Sequence, residues 1–139
     1  MITLSIPSSS KELDKVLEFV NLGQELAKGS IEFWMKLLDT VQKIFINIVT
    51  NAYHTIDGIV KISFNYIEEQ QVIEILFIHE GIPYNPLEGM GLISDDIDEY
   101  KAKGSFGVLL LEKSTEKISY RYQNKKNVTT VRKYLELAY

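Results

Sequence analysis

Hydrophobic positions between residues 33 and 55 recur every three or four residues, the spacing of one face of an α-helix. The apolar positions are Trp34, Leu37, Leu38, Val41, Ile44, Phe45, Ile48, Val49 and Ala52. A polar row follows the opposite face at Lys36, Thr40, Lys43, Asn47, Asn51 and His54. Asparagine has low helix propensity, and Asn47 and Asn51 lie one turn apart on the same face. The pattern predicts one long helix whose polar face is either solvated or holds a ligand.

Shorter patterns predict the elements around this helix. Residues 2–6 alternate in polarity before Pro7, which predicts a short strand at a sheet edge. A capping box at Ser9 predicts a first helix that ends near Gly29, and Ser30 is placed to cap the long helix. Residues 60–66 then alternate, and 72–78 are apolar on nearly both faces. These two runs predict a hairpin whose second strand is central in a sheet.

The last third of the chain begins with a segment that shows no periodicity. Residues 81–104 contain four glycines and two prolines and predict a long loop, with a candidate lid over 87–103. Residues 107–113 predict a short helix, and 118–122 with 128–135 predict a final hairpin. The order βααββ, loop, αββ predicts an α+β fold: a two-layer sandwich with helices on one face of a mainly antiparallel sheet. We expect a single domain over residues 1–139.

Composition narrows the classes of function. The 139 residues are 45% apolar and 24% charged and include two histidines and no cysteine, so a structural zinc site is not expected. The formal net charge is −4 and the basic residues are scattered, which argues against nucleic acid as a partner. The apolar runs are too short to cross a membrane, and the amino terminus lacks the basic start of a signal peptide. We therefore expect a cytoplasmic protein.

Three segments together resemble a known family. They are the polar row of the long helix, Gly81-Ile82-Pro83-Tyr84-Asn85-Pro86, and Gly104-Ser105-Phe106-Gly107-Val108-Leu109-Leu110. In this order they resemble the histidine-kinase-like (GHKL or Bergerat) ATP-binding fold, and most of all the small anti-sigma-factor serine protein kinases. Those kinases carry a G-x-P-F-[DN]-P segment and a later G-x-x-G-[LIV]-x-L-[LI] turn. The resemblance covers essentially the whole chain.

The resemblance implies a site for ATP or ADP with Mg²⁺. Asn51 matches the asparagine that offers its amide oxygen to Mg²⁺, a hard neutral ligand suited to that ion. The turn Gly104-Ser105-Phe106-Gly107 would bring backbone N–H groups to phosphate at the start of a helix. Gly81 would let the adenine base approach the backbone, and Pro83 and Tyr84 would line the adenine pocket.

Two substitutions depart from the pattern of these kinases. Asn47 stands where they usually carry a glutamate thought to activate the attacking group. An amide accepts no proton at neutral pH, and loss of a general base lowers a rate by about 10² to 10⁴. His79 stands where they carry an adenine-reading aspartate, and an unpaired adenine amino group would cost roughly 1 to 3 kcal/mol. A histidine hydrogen-bonded within the fold is the alternative interpretation of His79, and Thr55 replaces a histidine of the pattern.

These observations leave three hypotheses. The first is an anti-sigma-type regulatory protein with an impaired serine kinase site. The resemblance implies that such a protein pairs with itself, binds an anti-anti-sigma (STAS-type) protein and interacts with a sigma factor. The second is an active serine kinase or ATPase whose base is Glu80 or a substrate carboxylate. The third is a nucleotide-free scaffold that keeps the fold for protein contacts. The sequence alone leaves enzymatic activity open.

Overall fold

The computed structural model of the chain describes residues 1–52, 58–89, 107–110 and 116–135. Its strands are Ile2–Pro7 (β1), Ile59–Ile67 (β2), Val72–Glu80 (β3), Gly107–Leu110 (β4), Glu116–Gln123 (β5) and Lys126–Tyr134 (β6). Its α-helices are Leu13–Asn21 (α1), Ile31–Asn51 (α2) and Pro86–Gly89 (α3). In the described part of the chain no helix has the length and apolar character to cross a membrane.

Helix α2 confirms the predicted long helix and its buried stripe. It begins where Ser30 caps it: the Ser30 hydroxyl accepts a hydrogen bond of 3.0 Å from the backbone N–H of Phe33, which satisfies one of the free donors of the first turn. The buried apolar residues of the helix are Phe33, Trp34, Leu37, Val41, Ile44, Phe45 and Ile48. The helix ends at Asn51, earlier than predicted, and residues 53–57 lie outside the described residues.

The first helix is shorter than predicted. Helix α1 ends at Asn21 and a 3-10 turn, Leu22–Glu25, follows, so the expected end near Gly29 was wrong. Gly23 in this turn is buried, and a Cβ at that position would overlap the ring of Phe64 on β2. Close backbone packing against Phe64 and the low helix propensity of glycine explain why the regular helix stops early.

The six strands form one antiparallel sheet in the order β1-β2-β3-β6-β5-β4. Strand β1 lies at an edge and β3 lies inside the sheet, as predicted. The predicted terminal hairpin is also confirmed as β5 and β6. Its turn is Asn124 and Lys125, both with positive φ (55° and 62°), the geometry of the tight hairpin turn that matches sheet twist.

The core lies between one face of this sheet and helices α1 and α2. The strands contribute Val60, Ile62, Phe64, Ile73, Ile75, Phe77, Ile118 and Val131, all buried. The helices contribute the stripe of α2 together with Val16 and Val20 of α1. The fold is therefore α+β, with helices packed on one side of an antiparallel sheet, which agrees with the predicted class.

One predicted element has a different structure. The sequence predicts a short helix over residues 107–113, but Gly107–Leu110 form β4 at the sheet edge. This strand pairs with β5, with Gly107 opposite Tyr120 and Leu110 opposite Lys117. The prediction was wrong because a short apolar run fits a strand as well as a helix, and the free edge of β5 supplies hydrogen-bond partners to a strand.

Candidate functional site

The polar row of α2 is only partly exposed to solvent. Thr40 and Asn47 are buried, with exposed fractions of 7% and 8%, so their side chains face the protein. Asn51, one turn beyond Asn47, is exposed. Its amide nitrogen donates a hydrogen bond of 3.3 Å to the carbonyl oxygen of Asn47. Only the amide oxygen of such a side chain can coordinate a cation, because the amide nitrogen is a donor.

Tyr84 joins the segment after β3 to this end of α2. Its hydroxyl donates a hydrogen bond to Oδ1 of Asn47 and lies 3.5 Å from the carbonyl oxygen of the same residue. Its backbone N–H donates to Oδ1 of Asn127 on β6 at 2.7 Å. Two of the motifs selected from the sequence, the asparagines of α2 and the segment that starts at Gly81, therefore meet in space.

Asn127 holds that segment to the sheet, and sequence reasoning missed it. Its side chain is fully buried, and Oδ1 accepts from the Tyr84 N–H and from the Tyr120 hydroxyl at 2.5 Å. Its Nδ2 donates to the carbonyl oxygens of Ile82 at 3.1 Å and His79 at 3.4 Å. An asparagine amide can make four hydrogen bonds, and all four are made here. The sequence pattern placed Asn127 in the turn before the last predicted strand, where asparagine is common, so the residue gave no signal of its buried role.

Gly81 has a structural reason to be glycine. Its φ is 140°, in the region that side chains other than glycine avoid. Its carbonyl oxygen accepts a hydrogen bond of 2.7 Å from the Tyr122 hydroxyl, and its N–H donates to the carbonyl oxygen of Lys125 at 3.4 Å. Pro83, two residues on, is exposed. The backbone of the segment is therefore fixed at Gly81 as well as at Tyr84.

His79 is buried at the end of β3, with an exposed fraction of 3%. It lies opposite Asn127 in the β3/β6 register, on the face of the sheet that carries the core. This burial agrees with both interpretations of His79, a side chain that binds adenine and a side chain that stabilises the fold. Glu80, the alternative general base, is exposed. It follows His79 on β3, and successive side chains of a strand point to opposite faces.

The glycine turn is only partly within the described residues. Gly104, Ser105 and Phe106 lie outside them, as do His54, Thr55 and residues 90–103 of the predicted lid (87–103). Residues 87–89 of that lid belong to helix α3. Gly107 is described, and it begins β4. The expectation that Gly107 opens a helix was wrong, and the N-terminal helix dipole invoked for phosphate binding is not present at this residue.

The described residues provide no cluster of charged side chains for a magnesium ion. They contain no group of three or more His, Asp or Glu side chains placed to hold a metal. Mg²⁺ keeps several waters in proteins and is commonly held by substrate phosphates together with one or two protein oxygens. Asn51 would serve as such a single oxygen ligand for an ion carried in with a nucleotide.

A second buried polar cluster holds the other half of α2. The ammonium of Lys133 lies 3.1 Å from Oε2 of Glu116, and both side chains are almost fully buried. The Thr40 hydroxyl donates to Oε1 of Glu116 at 2.5 Å and is also 3.2 Å from the carbonyl oxygen of Lys36. The Lys133 ammonium lies 5.4 Å from the ring centroid of Phe33. This cluster fastens α2 to β5 and β6.

No protein-family model matches this chain, and no curated protein matches it.

Proposed function

We propose that this chain is a regulatory protein of the anti-sigma kinase type, with a fold for ATP or ADP with Mg²⁺ and an impaired serine kinase site. The observation that supports the proposal is the hydrogen bond from Tyr84 to Asn47. It brings together the two described segments that carry the resemblance, which lie on different elements of the fold. The arrangement of a long helix against an antiparallel sheet is compatible with the same proposal.

The impairment follows from the chemistry of Asn47. In the proposed site this residue occupies the base position, and its amide cannot take the proton of an attacking serine hydroxyl. Glu80 is badly placed to replace it, because it extends from the opposite face of β3. We therefore expect binding and regulation rather than rapid phosphoryl transfer. The partners in this proposal are a STAS-type anti-anti-sigma protein and a sigma factor, bound by a homodimer in the cytoplasm.

A nucleotide-free scaffold is the second candidate, and one contact favours it. Oδ1 of Asn47 already accepts one hydrogen bond from Tyr84, so the protein itself occupies one of its two acceptor positions in the proposed site. The two candidates differ in a simple property. A protein that binds nucleotide in its folded state must unfold at a higher temperature when nucleotide is present.

The first experiment is a thermal unfolding titration with Mg-ATP and Mg-ADP. At a ligand concentration of about 100 times Kd the folded state gains about 2.7 kcal/mol, which is a clear rise in melting temperature. The Asn51→Ala variant should lose most of the Mg²⁺-dependent part of this rise. Asn21→Ala, which removes an exposed asparagine from α1, is the matched control and should respond like the wild type. If the melting temperature does not rise at millimolar nucleotide, the nucleotide-free scaffold is the candidate that remains.

A transfer assay tests the state of the kinase site. The protein is incubated with γ-labelled ATP and a STAS-type protein that carries an acceptor serine. We expect label in the partner at or near background, because no base stands at position 47. Rapid transfer that persists in the Asn47→Ala variant would refute the assignment of that residue to the base position.

A further inference from the structure

The contact between Tyr84 and Asn47 involves two positions at which this chain differs from the kinase pattern. Asn47 replaces the usual glutamate, and Tyr84 stands at the phenylalanine of the G-x-P-F-[DN]-P segment. The hydroxyl that distinguishes tyrosine from phenylalanine donates a hydrogen bond to the amide oxygen of Asn47. This oxygen is a neutral acceptor, whereas the glutamate of the pattern would be charged. The two substitutions thus form one hydrogen-bonded unit.

Tyr84 is held at both ends. Its ring is half-buried and its hydroxyl is bound to α2, while its backbone N–H is bound to Asn127 on β6. Asn127 is itself fixed in place, because its amide also makes hydrogen bonds to the Tyr120 hydroxyl and to two backbone carbonyl groups. A side chain fixed in this way spans the gap between the sheet and the helix, at the point where the proposed site needs room for an attacking group.

We propose that Tyr84 is a latch: its hydroxyl binds Oδ1 of Asn47 and holds the segment 81–85 closed against α2. This inference rests on the proposed function and assigns it a specificity-determining residue. Mg-ATP binds only when the latch contact opens or shifts. Loss of one neutral hydrogen bond of this kind changes an equilibrium by roughly two- to tenfold, so the latch weakens nucleotide binding by about that factor.

The test compares Tyr84→Phe with Tyr122→Phe. Both variants remove one phenol hydroxyl that binds next to the site, but Tyr122 donates to the carbonyl oxygen of Gly81 and does not contact Asn47. Each protein is titrated with Mg-ATP, and the melting temperature is followed. Tyr84→Phe should show the same rise in melting temperature as the wild type at a Mg-ATP concentration about two- to tenfold lower. Tyr122→Phe should not show this gain.

The outcomes separate the latch from the proposed function. An unchanged response of Tyr84→Phe in a wild type that binds Mg-ATP would overturn the latch alone, as would an equal gain in both variants. A silent titration in all three proteins would overturn the proposed function and, with it, the role of the latch against nucleotide.

A double-mutant cycle tests the contact itself without nucleotide. Tyr84→Phe and Asn47→Ala, alone and combined, are unfolded in urea. Their effects should be non-additive by about threefold or more in the folding equilibrium if the contact forms, and additive effects would overturn the latch. If Asn47→Ala does not fold, Asn47→Ser, with its smaller polar side chain, replaces it in the cycle.

Discussion

Replacing Lys133 by methionine should destabilise the protein strongly, although lysine is usually a surface residue. The Lys133 ammonium is 3.1 Å from Oε2 of Glu116, and the exposed fractions of the two side chains are 2% and 5%. Methionine fills nearly the same volume without the charge. The variant would therefore keep the packing near Phe33 but leave the carboxylate of Glu116 buried without its cation.

The magnitude follows from that unpaired carboxylate. Breaking a buried ion pair by removing one partner costs about 3 to 5 kcal/mol, whereas replacing both partners by apolar residues is often neutral or stabilising. The Thr40 hydroxyl can keep its hydrogen bond to the Lys36 carbonyl, at 3.2 Å, when the carboxylate is removed. We therefore expect Lys133→Met to lose about 3 to 5 kcal/mol of unfolding free energy. Lys133→Met combined with Glu116→Leu should recover most of the loss.

Urea unfolding monitored by tryptophan fluorescence provides the assay. Trp34 is the single tryptophan, and it is buried in α2 with an exposed fraction of 2%, so its emission reports the core next to this cluster. A double variant as unstable as Lys133→Met would refute the reasoning. So would a single variant within about 1 kcal/mol of the wild type, since surface pairs already account for that much.

Lys43→Met is the matched control for this experiment. Lys43 makes an ion pair of 2.8 Å with Asp39 on the same helix, but both side chains are 61% exposed. Its removal should cost less than about 1 kcal/mol. The hydrogen bond that the Lys43 ammonium donates to the Asp39 carboxylate raises the pKa of Lys43 in the folded protein. The small stabilisation is therefore present at neutral pH and is lost as the pH rises through that raised pKa.

Three further substitutions test other parts of the fold by urea unfolding. Gly23→Ala should lose about 1 to 3 kcal/mol, because the added methyl overlaps the buried ring of Phe64; stability equal to the wild type would contradict that packing. Lys125→Gly should gain about 0.5 to 1 kcal/mol, since the φ of 62° is unfavourable for lysine and free for glycine; a loss would argue against this turn. Asn127→Ala should cost about 3 kcal/mol or more, because several buried partners lose their hydrogen bonds. It should also speed hydrogen exchange at the Tyr84 amide, and an unchanged exchange rate would exclude Asn127 as its anchor.

Repeating patterns were readable from the sequence because they depend on local geometry. The stripe of α2 has the helical period, Ser30 carries a capping hydroxyl, the run of β2 alternates as a strand does, and the run of β3 is a short apolar segment of strand length. These features follow from the chain within one or two turns, so neighbouring residues are enough to predict them.

Features that depend on distant partners were not readable in the same way. Glutamate and lysine are usually exposed to solvent. Glu116 and Lys133 are buried because β5 and β6 bring them together. Asn127 looked like part of a turn until its four partners were placed around it. The run at Gly107 satisfied both a helical and a strand pattern, and its pairing with β5 decided the outcome. In the candidate site, the sequence indicated Asn47 and Tyr84 separately but not the hydrogen bond between them.

The sheet order has a consequence for the way the chain is made. Strand β3, at residues 72–80, has β6 as a neighbour, and β6 leaves the ribosome later than β3, β4 and β5. Until residues 126–134 emerge, nine residues of β3 present free backbone donors and acceptors along one side. A strand edge of this kind is a template for pairing with another chain. A nascent or truncated polypeptide that stops short of β6 is therefore the species of this protein most prone to aggregate.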